Sequence, residues 1–208
     1  MKKELVLIGG GGHSKACIDV IEEQGKFKIA GIVDIPERLN QRILGYQVIA
    51  TDEDLEKLVK DYQYFLVTLG QIKSPAKRIE KFNKLSGLGV EMPVIVSPLG
   101  YVSRHAFIGE GTIVMHRATV NAGARVGNNC IINTGALIEH DAVIESHCHV
   151  STHTVINGGA KVGQGTFLGS NTVSRENITI GEYCVIGSGT AVLADIPSNT
   201  FAAGACES

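Results

Sequence analysis

Residues 106–195 read AFIGEG TIVMHR ATVNAG ARVGNN CIINTG ALIEHD AVIESH CHVSTH TVINGG AKVGQG TFLGSN TVSREN ITIGEY CVIGSG TAVLAD, an unbroken run of fifteen six-residue units. The third position is Ile, Val or Leu in fourteen units, with Ser174 as the exception, and the first is Ala, Thr or Cys in fourteen, with Ile178 as the exception. A fixed period of this kind indicates a repeat architecture. One large aliphatic and one small inward residue in every six predict a triangular parallel β-helix, in which three units close a coil and residues i and i+18 stack.

The fourth position of the unit bears on how the chain turns its corners. It is Gly or Asn in more than half of the units. We expect these residues to form the corners, because both tolerate a positive φ angle. The fifteen units make five full coils, and residues 97–105 form a lead-in to the first of them.

The chain before the repeats has a different composition. The first 96 residues carry 27 charged side chains and the last 112 carry 13. Strand-like apolar runs alternate with helical patterns, the runs at 4–8, 28–33, 46–50 and 64–69 and the patterns at 14–24, 52–60 and 74–85. This alternation predicts a small Rossmann-like α/β domain at residues 1–96, followed by the β-helix domain at residues 97–208.

The composition also excludes several classes of protein. A formal net charge of −2 offers no broad basic surface for nucleic acid. The five cysteines form no CxxC pair, which argues against a zinc knuckle and fits a reducing compartment. The apolar run at residues 5–8 is far shorter than the ~20 residues that cross a membrane, and no signal-peptide cleavage site follows it. We therefore expect a cytoplasmic protein without disulfides that binds neither nucleic acid nor membrane.

Histidine is the most informative side chain of the repeat region, which holds or adjoins six of the seven. None occupies an inward position, and for any one of them the simplest expectation is an exposed polar residue on a coil. His140 differs because Asp141 follows it and Gly158, eighteen residues later, stacks on it. A carboxylate holds an imidazole in one tautomer, so that it can act as a general base. The glycine leaves room and a bare N–H for a ligand carbonyl.

The cluster His147-Cys148-His149, with His153 nearby, invites a metal interpretation, since imidazole and thiolate are good zinc ligands. The repeat register argues against it. Cys148 falls at an inward first position, and His147 and His153 fall on different faces of the coil. We therefore predict that no metal binds and that Cys148 is a core residue, not a nucleophile.

Four glycines at residues 9–12 lie between a predicted strand and a predicted helix, where backbone amides and the helix dipole favour phosphate. The GxGxxG pattern fails here because Ser14 stands at its third glycine. Asp34 ends the next strand about 20 residues later, where a carboxylate accepts hydrogen bonds from ribose. The pattern predicts a nucleotide site, and these residues leave open whether the nucleotide belongs to a dinucleotide or to an activated sugar.

Several motifs carry a family resemblance over nearly the whole chain. They are VLIGGGGHSK at 6–15, IVD at 32–34, LG at 69–70, IEHDAVIE at 138–145, HVS at 149–151 and the six-residue units. Together they resemble the sialic acid O-acetyltransferase and UDP-bacillosamine N-acetyltransferase family of hexapeptide-repeat acyltransferases. The resemblance implies a left-handed β-helix and a homotrimer with active sites between neighbouring subunits. It also implies acetyl-CoA as donor and a bacterial surface sugar as acceptor, often a UDP-linked 4-amino sugar.

The resemblance also implies roles for single residues. His140 would be the general base and Asp141 its orienting carboxylate. His149 would lie beside the thioester of the coenzyme, and Gly158, Ser170 and Ser188 would line the cleft that binds the coenzyme. The nucleotide end of the acceptor would meet Gly11, Gly12, His13, Asp34, Ile35 and Gly70.

Three functions follow from these expectations. We favour N-acetylation of a nucleotide-linked amino sugar, because the glycine loop and Asp34 would bind the nucleotide. O-acetylation of a sialic-acid-like hydroxyl is the alternative within the same chemistry. A scaffold trimer that binds nucleotide sugars without catalysis is the third, although such a scaffold has no need of His140 and Asp141 beside a glycine.

Overall fold

A five-stranded sheet forms the N-terminal domain in the computed structural model, which describes residues 2–206. Its strands are β1 (Lys3–Ile8), β2 (Phe27–Val33), β3 (Arg42–Ile43), β4 (Tyr46–Ala50) and β5 (Tyr64–Val67). Its helices are α1 (Gly12–Gln24), α2 (Leu55–Leu58) and α3 (Ala76–Gly87), with 3₁₀ turns at Pro36–Arg38 and Asp52–Asp54. The strand order is β3-β4-β2-β1-β5, and all pairs are parallel except β3 with β4.

The alternation of side chains along β1 explains how the two long helices are placed. Leu5 and Leu7 point into one core, which includes Ile18 of α1. Val6 and Ile8 point into the other, which includes Phe82 of α3. Because α1 follows β1 on one face and α3 follows β5 on the other, the loops after these adjacent strands diverge. The divergence leaves a crevice at their carboxyl ends, the usual ligand position in open α/β sheets.

Nineteen two-residue strands make up the rest of the described chain. They are β6 (Ile95–Val96), β7 (Tyr101–Val102), β8 (Phe107–Ile108), β9 (Ile113–Val114), β10 (Thr119–Val120), β11 (Arg125–Val126), β12 (Ile131–Ile132), β13 (Leu137–Ile138), β14 (Val143–Ile144), β15 (His149–Val150), β16 (Val155–Ile156), β17 (Lys161–Val162), β18 (Phe167–Leu168), β19 (Val173–Ser174), β20 (Thr179–Ile180), β21 (Val185–Ile186), β22 (Ala191–Val192), β23 (Phe201–Ala202) and β24 (Ala205–Cys206).

These strands form the three parallel faces of a triangular β-helix. Sheet A has the order β6-β9-β12-β15-β18-β21-β23, sheet B runs from β7 to β24, and sheet C has the order β8-β11-β14-β17-β20. Within a sheet, paired residues from β6 to β22 are eighteen apart, as in Ile131 with His149, whereas the pairs made by β23 and β24 are sixteen and fourteen apart. The stacking rule predicted from the repeat is therefore confirmed. The chain turns at three edges, which we name AB, BC and CA after the sheets they join.

First and third positions point into the coil, as the repeat predicts. The third-position residues from Val114 to Val192 are buried, and all of them except the polar Ser174 belong to one continuous hydrophobic core. Six of the eight first-position Thr and Cys side chains donate to a carbonyl fifteen residues ahead, for example Thr154 Oγ1 to Gly169 O at 2.9 Å and Cys148 Sγ to Gly163 O at 3.1 Å. Burial also raises the pKa of the Cys148 thiol well above its usual value. Cys148 is therefore an inward core residue.

The expectation that fourth-position residues supply the positive φ angles is wrong. Positive φ occurs at the sixth position of each of the first fourteen units, from Gly111 through Asp141 to Gly189. A glycine at the fourth position is required for a different reason, because the backbone of the next coil approaches too closely to leave room for a Cβ. A Cβ on Gly127 would lie 2.6 Å from Ser146 N, and one on Gly169 would lie 2.5 Å from Ser188 N.

The N-terminal domain packs on sheet A. Ile113 and Ile131 on the outside of this sheet join the core formed by α1. Strand pairing within the β-helix begins at Ile95–Val96, and the domain boundary after residue 96 stays a prediction. In the part of the chain that the structure describes, no helix is long and apolar enough to cross a membrane.

Candidate active site

His140 and Asp141 form an exposed pair at the BC edge, between β13 and β14. Asp141 occupies the sixth position with a φ of 60°, a left-handed conformation that aspartate tolerates. Nδ1 of His140 donates to Oδ2 of Asp141 over 3.0 Å, and the two side chains are 67% and 72% exposed. This hydrogen bond raises the pKa of His140 above its ordinary value.

Two glycines make space for the pair. A Cβ on Gly158, one coil further on, would lie 2.7 Å from both Cε1 and Nε2 of His140. A Cβ on Gly123, one coil back, would collide with Oδ1 of Asp141. The imidazole ring therefore lies over a surface that only glycine leaves free, as the stacking rule predicts.

A cavity of about 610 Å³ opens at this edge, and it is lined by Glu139, His140, Asp141, Asn157, Gly158, Gly159, Glu176 and Asn177. Nε2 of His140 makes no hydrogen bond to any residue between 2 and 206. With Nδ1–H held by a carboxylate, Nε2 of the neutral ring carries the free lone pair. This geometry is that of a general base.

His149 lies in a different environment, on the outside of sheet A beneath the N-terminal domain. It is 7% exposed, so the expectation of an exposed polar residue is wrong for this histidine, as it is for His147 at 8%. Nδ1 of His149 donates to the Gln71 carbonyl over 2.6 Å, and Nε2 accepts from Asn133 Nδ2 over 3.1 Å. Burial lowers the pKa of His149 to about 4, which keeps the ring neutral.

The crevice between the loops after β1 and β5 contains the predicted glycines. Gly11 and Gly12 lie at the amino end of α1, and a Cβ on either would have nothing within 4 Å. A Cβ on Gly70 would lie 3.4 Å from Cβ of His13, whose ring centroid is 6.2 Å from that of His149. Burial lowers the pKa of His13 to about 3. The fold thus gathers the glycine loop, His13, Gly70 and His149 around one crevice.

Asp34 lies next to the glycine loop and holds it through hydrogen bonds. Its Oδ2 accepts from Gly10 N over 3.2 Å and from Arg38 Nη1 over 2.9 Å, and its Oδ1 accepts from Ile35 N over 2.9 Å. Its side chain is 10% exposed and borders a cavity of about 210 Å³ that Lys77 also lines. Arg38 was missed by sequence reasoning, although its spacing of four residues from Asp34 was a usable signal.

The remaining predicted residues lie on other edges. Ser170 and Ser188 stack on the AB edge, where the Ser170 carbonyl accepts from Gly189 N over 2.8 Å. Gly158 lies on the BC edge with His140. Within one chain, the predicted coenzyme residues therefore occupy two edges and one face of the β-helix.

The histidines that suggested a metal site do not converge. His147 lies at the CA edge with its ring against Phe82, at 5.3 Å between centroids, while His153 lies at the AB edge. Among residues 2–206, no three His, Cys, Asp or Glu side chains are grouped so that they could hold a metal ion.

Two family models match the chain. Residues 4–85 match the PglD N-terminal domain, and residues 105–140 match the bacterial transferase hexapeptide model of six repeats. No curated protein sequence matches significantly.

Several solved structures are similar over nearly the whole chain. A variant of perosamine N-acetyltransferase from Caulobacter crescentus, in which one histidine is replaced by asparagine, was solved in complex with CoA and GDP-perosamine. It is 30% identical with a TM-score of 0.91, and the match covers 97% of this chain and 93% of that chain. The acetyltransferase domain of PglB from Neisseria gonorrhoeae, in complex with acetyl coenzyme A, is 28% identical with a TM-score of 0.89, covering 98% and 97%.

A third similar structure, WeeI from Acinetobacter baumannii, supports the fold alone. It is 17% identical with a TM-score of 0.72, covering 96% of both chains. The family is shown by the two domains, which match in order, and by the 30% identity to the Caulobacter enzyme over 97% of this chain and 93% of that chain. The chain belongs to the PglD-like hexapeptide-repeat acyltransferases, and the left-handed parallel β-helix predicted by resemblance is confirmed.

Proposed function

We propose that this protein transfers the acetyl group of acetyl-CoA to the amino group of a nucleotide-linked sugar. The observation that carries the proposal is His140, with Nδ1 held by Asp141, Nε2 free, and its ring over Gly158. The relatives from Caulobacter and Neisseria, solved with CoA and GDP-perosamine or with acetyl coenzyme A, support the choice of donor and of acceptor class.

The proposed reaction is a direct transfer in a ternary complex. Nε2 of His140 takes a proton from the amine as the amine nitrogen attacks the thioester carbonyl carbon. The new C–N bond forms, the C–S bond breaks, and the proton passes from the imidazolium to the departing thiolate. Asp141 stabilises the imidazolium through its hydrogen bond to Nδ1. A backbone N–H, for which Gly158 is our candidate, stabilises the oxyanion.

We assign the two substrates to the two domains. The nucleotide end of the acceptor binds in the crevice, where the exposed residues Gly11 and Gly12 at the amino end of α1 offer backbone N–H groups to the phosphates. Asp34 and Ile35 border the nucleoside, and His13 and Gly70 lie towards the sugar. The coenzyme extends along the β-helix past Gly158, Ser170 and Ser188, with His149 beside the thioester. A UDP-linked 4-amino sugar in bacterial surface glycan biosynthesis is our preferred acceptor.

We propose that the active unit is a homotrimer. Within one chain the base at the BC edge and the acceptor crevice on sheet A belong to different sides of the prism, so a neighbouring subunit is needed to bring them together. Large apolar side chains on the outside of sheets B and C support this arrangement, since Tyr101, Phe107 and Val173 are exposed in the single chain. We place the reaction in the cytoplasm, where both substrates are made.

The test is a coupled thiol-release assay with acetyl-CoA and matched pairs of acceptors. Each pair comprises a UDP- or GDP-linked 4-amino sugar and its 4-hydroxy counterpart, and sialic acid is assayed beside them. We expect CoA release and an acetylated product by mass spectrometry with an amino sugar alone. Turnover of the hydroxyl sugars instead would establish O-acetylation. Binding of nucleotide sugars without any CoA release would establish a scaffold.

A further inference from the structure

Three hydrogen bonds anchor a short segment of the crevice wall to its surroundings. The segment, Leu69–Gln71, follows β5, and we call it the acceptor segment because it contains Gly70. The Leu69 carbonyl accepts from Arg78 over 2.8 Å. The Gln71 carbonyl accepts from His149 over 2.6 Å, and Nε2 of Gln71 donates to the Gly165 carbonyl over 3.0 Å. Both His149 and Gly165 belong to the β-helix.

Arg78 of α3 connects this segment to the β-helix. Its side chain is 1% exposed. Nη1 donates to the carbonyls of Val67 and Leu69, each over 2.8 Å, and Nε donates to the carbonyl of Asn129 over 3.1 Å. Asn129 lies at the CA edge of the β-helix, so one rigid guanidinium spans the end of β5, the acceptor segment and the second domain.

The charge of Arg78 makes a purely stabilising role a poor explanation. Burial lowers its pKa to about 10, so the group is still a cation at neutral pH. No carboxylate within residues 2–206 forms an ion pair with it. Burying a cation without a carboxylate is unfavourable, whereas a planar fork is well suited to holding several carbonyls in fixed positions.

We propose that Arg78 is a positioning residue for the transfer reaction. It holds Gly70 against the β-helix and keeps the Gln71 carbonyl on Nδ1 of His149. In this way it sets the distance between the acceptor sugar in the crevice and the acetyl donor beside His149. The inference rests on the proposed function for its substrates, but the contacts to be tested are those of the protein itself.

A second hydrogen-bonded contact between the two domains provides a matched control for the Arg78 variants. Asp19 of α1 accepts from Nε2 of His116 over 2.8 Å, and Nδ1 of the same ring bonds Ser97 Oγ over 2.6 Å. This contact also joins the two domains, but neither Asp19 nor His116 bonds the acceptor segment. Asp19→Asn therefore weakens the junction without altering the groups that Arg78 holds.

The experiment compares Arg78→Met, Arg78→Lys and Asp19→Asn in the full-length protein. In both Arg78 variants we expect kcat to fall about 10-fold or more, with a smaller change in the KM for the acceptor, since ~1 Å of misplacement in a reacting complex costs ~10²-fold in rate. The Kd for CoA, measured by calorimetry, should change far less, because Gly158, Ser170 and Ser188 lie on edges of the β-helix that the side chain of Arg78 does not bond. Lysine should fail because its three donors leave one nitrogen, whereas Arg78 reaches the three carbonyls from two separate nitrogens of a rigid plane, Nε and Nη1.

A spectroscopic readout separates this inference from the proposed function. The Nδ1 proton of His149, in its short bond to Gln71, should give a downfield proton resonance that shifts in the Arg78 variants and not in Asp19→Asn. This measurement needs no substrate, so it holds even if no sugar is acetylated. A folded Arg78→Met, or Arg78→Lys if the Met variant does not fold, with wild-type kcat and an unshifted resonance would overturn the proposal.

Discussion

Gly158→Ala is the sharpest test of the proposed base, because the change adds one methyl group at a known place. The added Cβ would lie 2.7 Å from Cε1 and Nε2 of His140. Non-bonded carbon atoms separate to about 3.5 Å at their energy optimum, so the ring must move by about 1 Å. The ring is exposed and free to move, so the clash is relieved by displacing His140 and not by unfolding the coil.

The displacement should cost activity and little stability. A reacting group misplaced by ~1 Å loses ~10²-fold in rate, and we expect kcat/KM to fall by that amount. The 3.0 Å bond from Nδ1 to Asp141 should lengthen or break with the ring movement. A wild-type melting temperature would show that the fold is intact, and the Kd for CoA would show how much of the loss comes from the coenzyme cleft, where Gly158 also lies.

The assay is the thiol-release reaction with the acceptor identified in the panel, and the control is Gly87→Ala. Gly87, like Gly158, has an ordinary φ angle, but it lies at the end of α3 and its added Cβ would meet nothing within 4 Å. We expect the control to behave as wild type. Full activity of Gly158→Ala with a normally folded protein would refute the assignment of His140 as base above this glycine.

Further predictions follow from the same site. His140→Ala should lower kcat by ~10²–10⁴-fold, the usual contribution of a general base, with an unchanged melting curve, and wild-type turnover would contradict the mechanism. Asp141→Asn should cost less activity than His140→Ala. The carboxylate raises the pKa of His140 and the base acts when neutral, so in this variant the acid limb of the kcat/KM profile should move to lower pH. An unmoved acid limb would exclude the pairing of His140 with Asp141. Asp34→Ala should weaken acceptor binding in calorimetry without changing CoA binding, and unchanged acceptor affinity would remove the α/β domain from the site. Light scattering should find the active species at three times the 22.1 kDa of one chain, and a fully active monomer would contradict the shared site.

The fold is largely predictable from sequence because its two halves repeat simple patterns. The inward third positions and the eighteen-residue stacking follow from one large aliphatic residue in every six. The strand at Tyr46–Ala50 has the predicted bounds, and helix α1 begins at Gly12, two residues before the predicted start. Residues 52–60 fold differently from the predicted helix, as a 3₁₀ turn followed by the single turn of α2. The stretch is too short to sustain a helix without a large apolar face.

The site is only partly predictable because half of it depends on contacts between domains. His140, Asp141 and Gly158 belong to one edge of one repeat, so the register alone places them together. The burial of His149 cannot be read from the repeat, since its outward second position is covered by a domain whose docking the period does not encode. Arg78 and Gln71 escape sequence reasoning for the same reason. Their donors go to carbonyls of residues 51 and 94 positions away.

The six-residue register also separates glycines that the fold requires from glycines that the site requires. A Cβ on the fourth-position glycines Gly127, Gly163 or Gly169 would collide with the backbone of the next coil, and at the sixth position the φ angle is positive. The fifth position has neither constraint, and it carries residues as varied as Gln164, Glu176 and Ser188. Gly158 is the one glycine at a fifth position, and the nearest atoms to its absent Cβ all belong to the ring of His140. A glycine without a structural requirement in its repeat is therefore a sign of function, and here it indicates the same imidazole that the neighbouring carboxylate indicates.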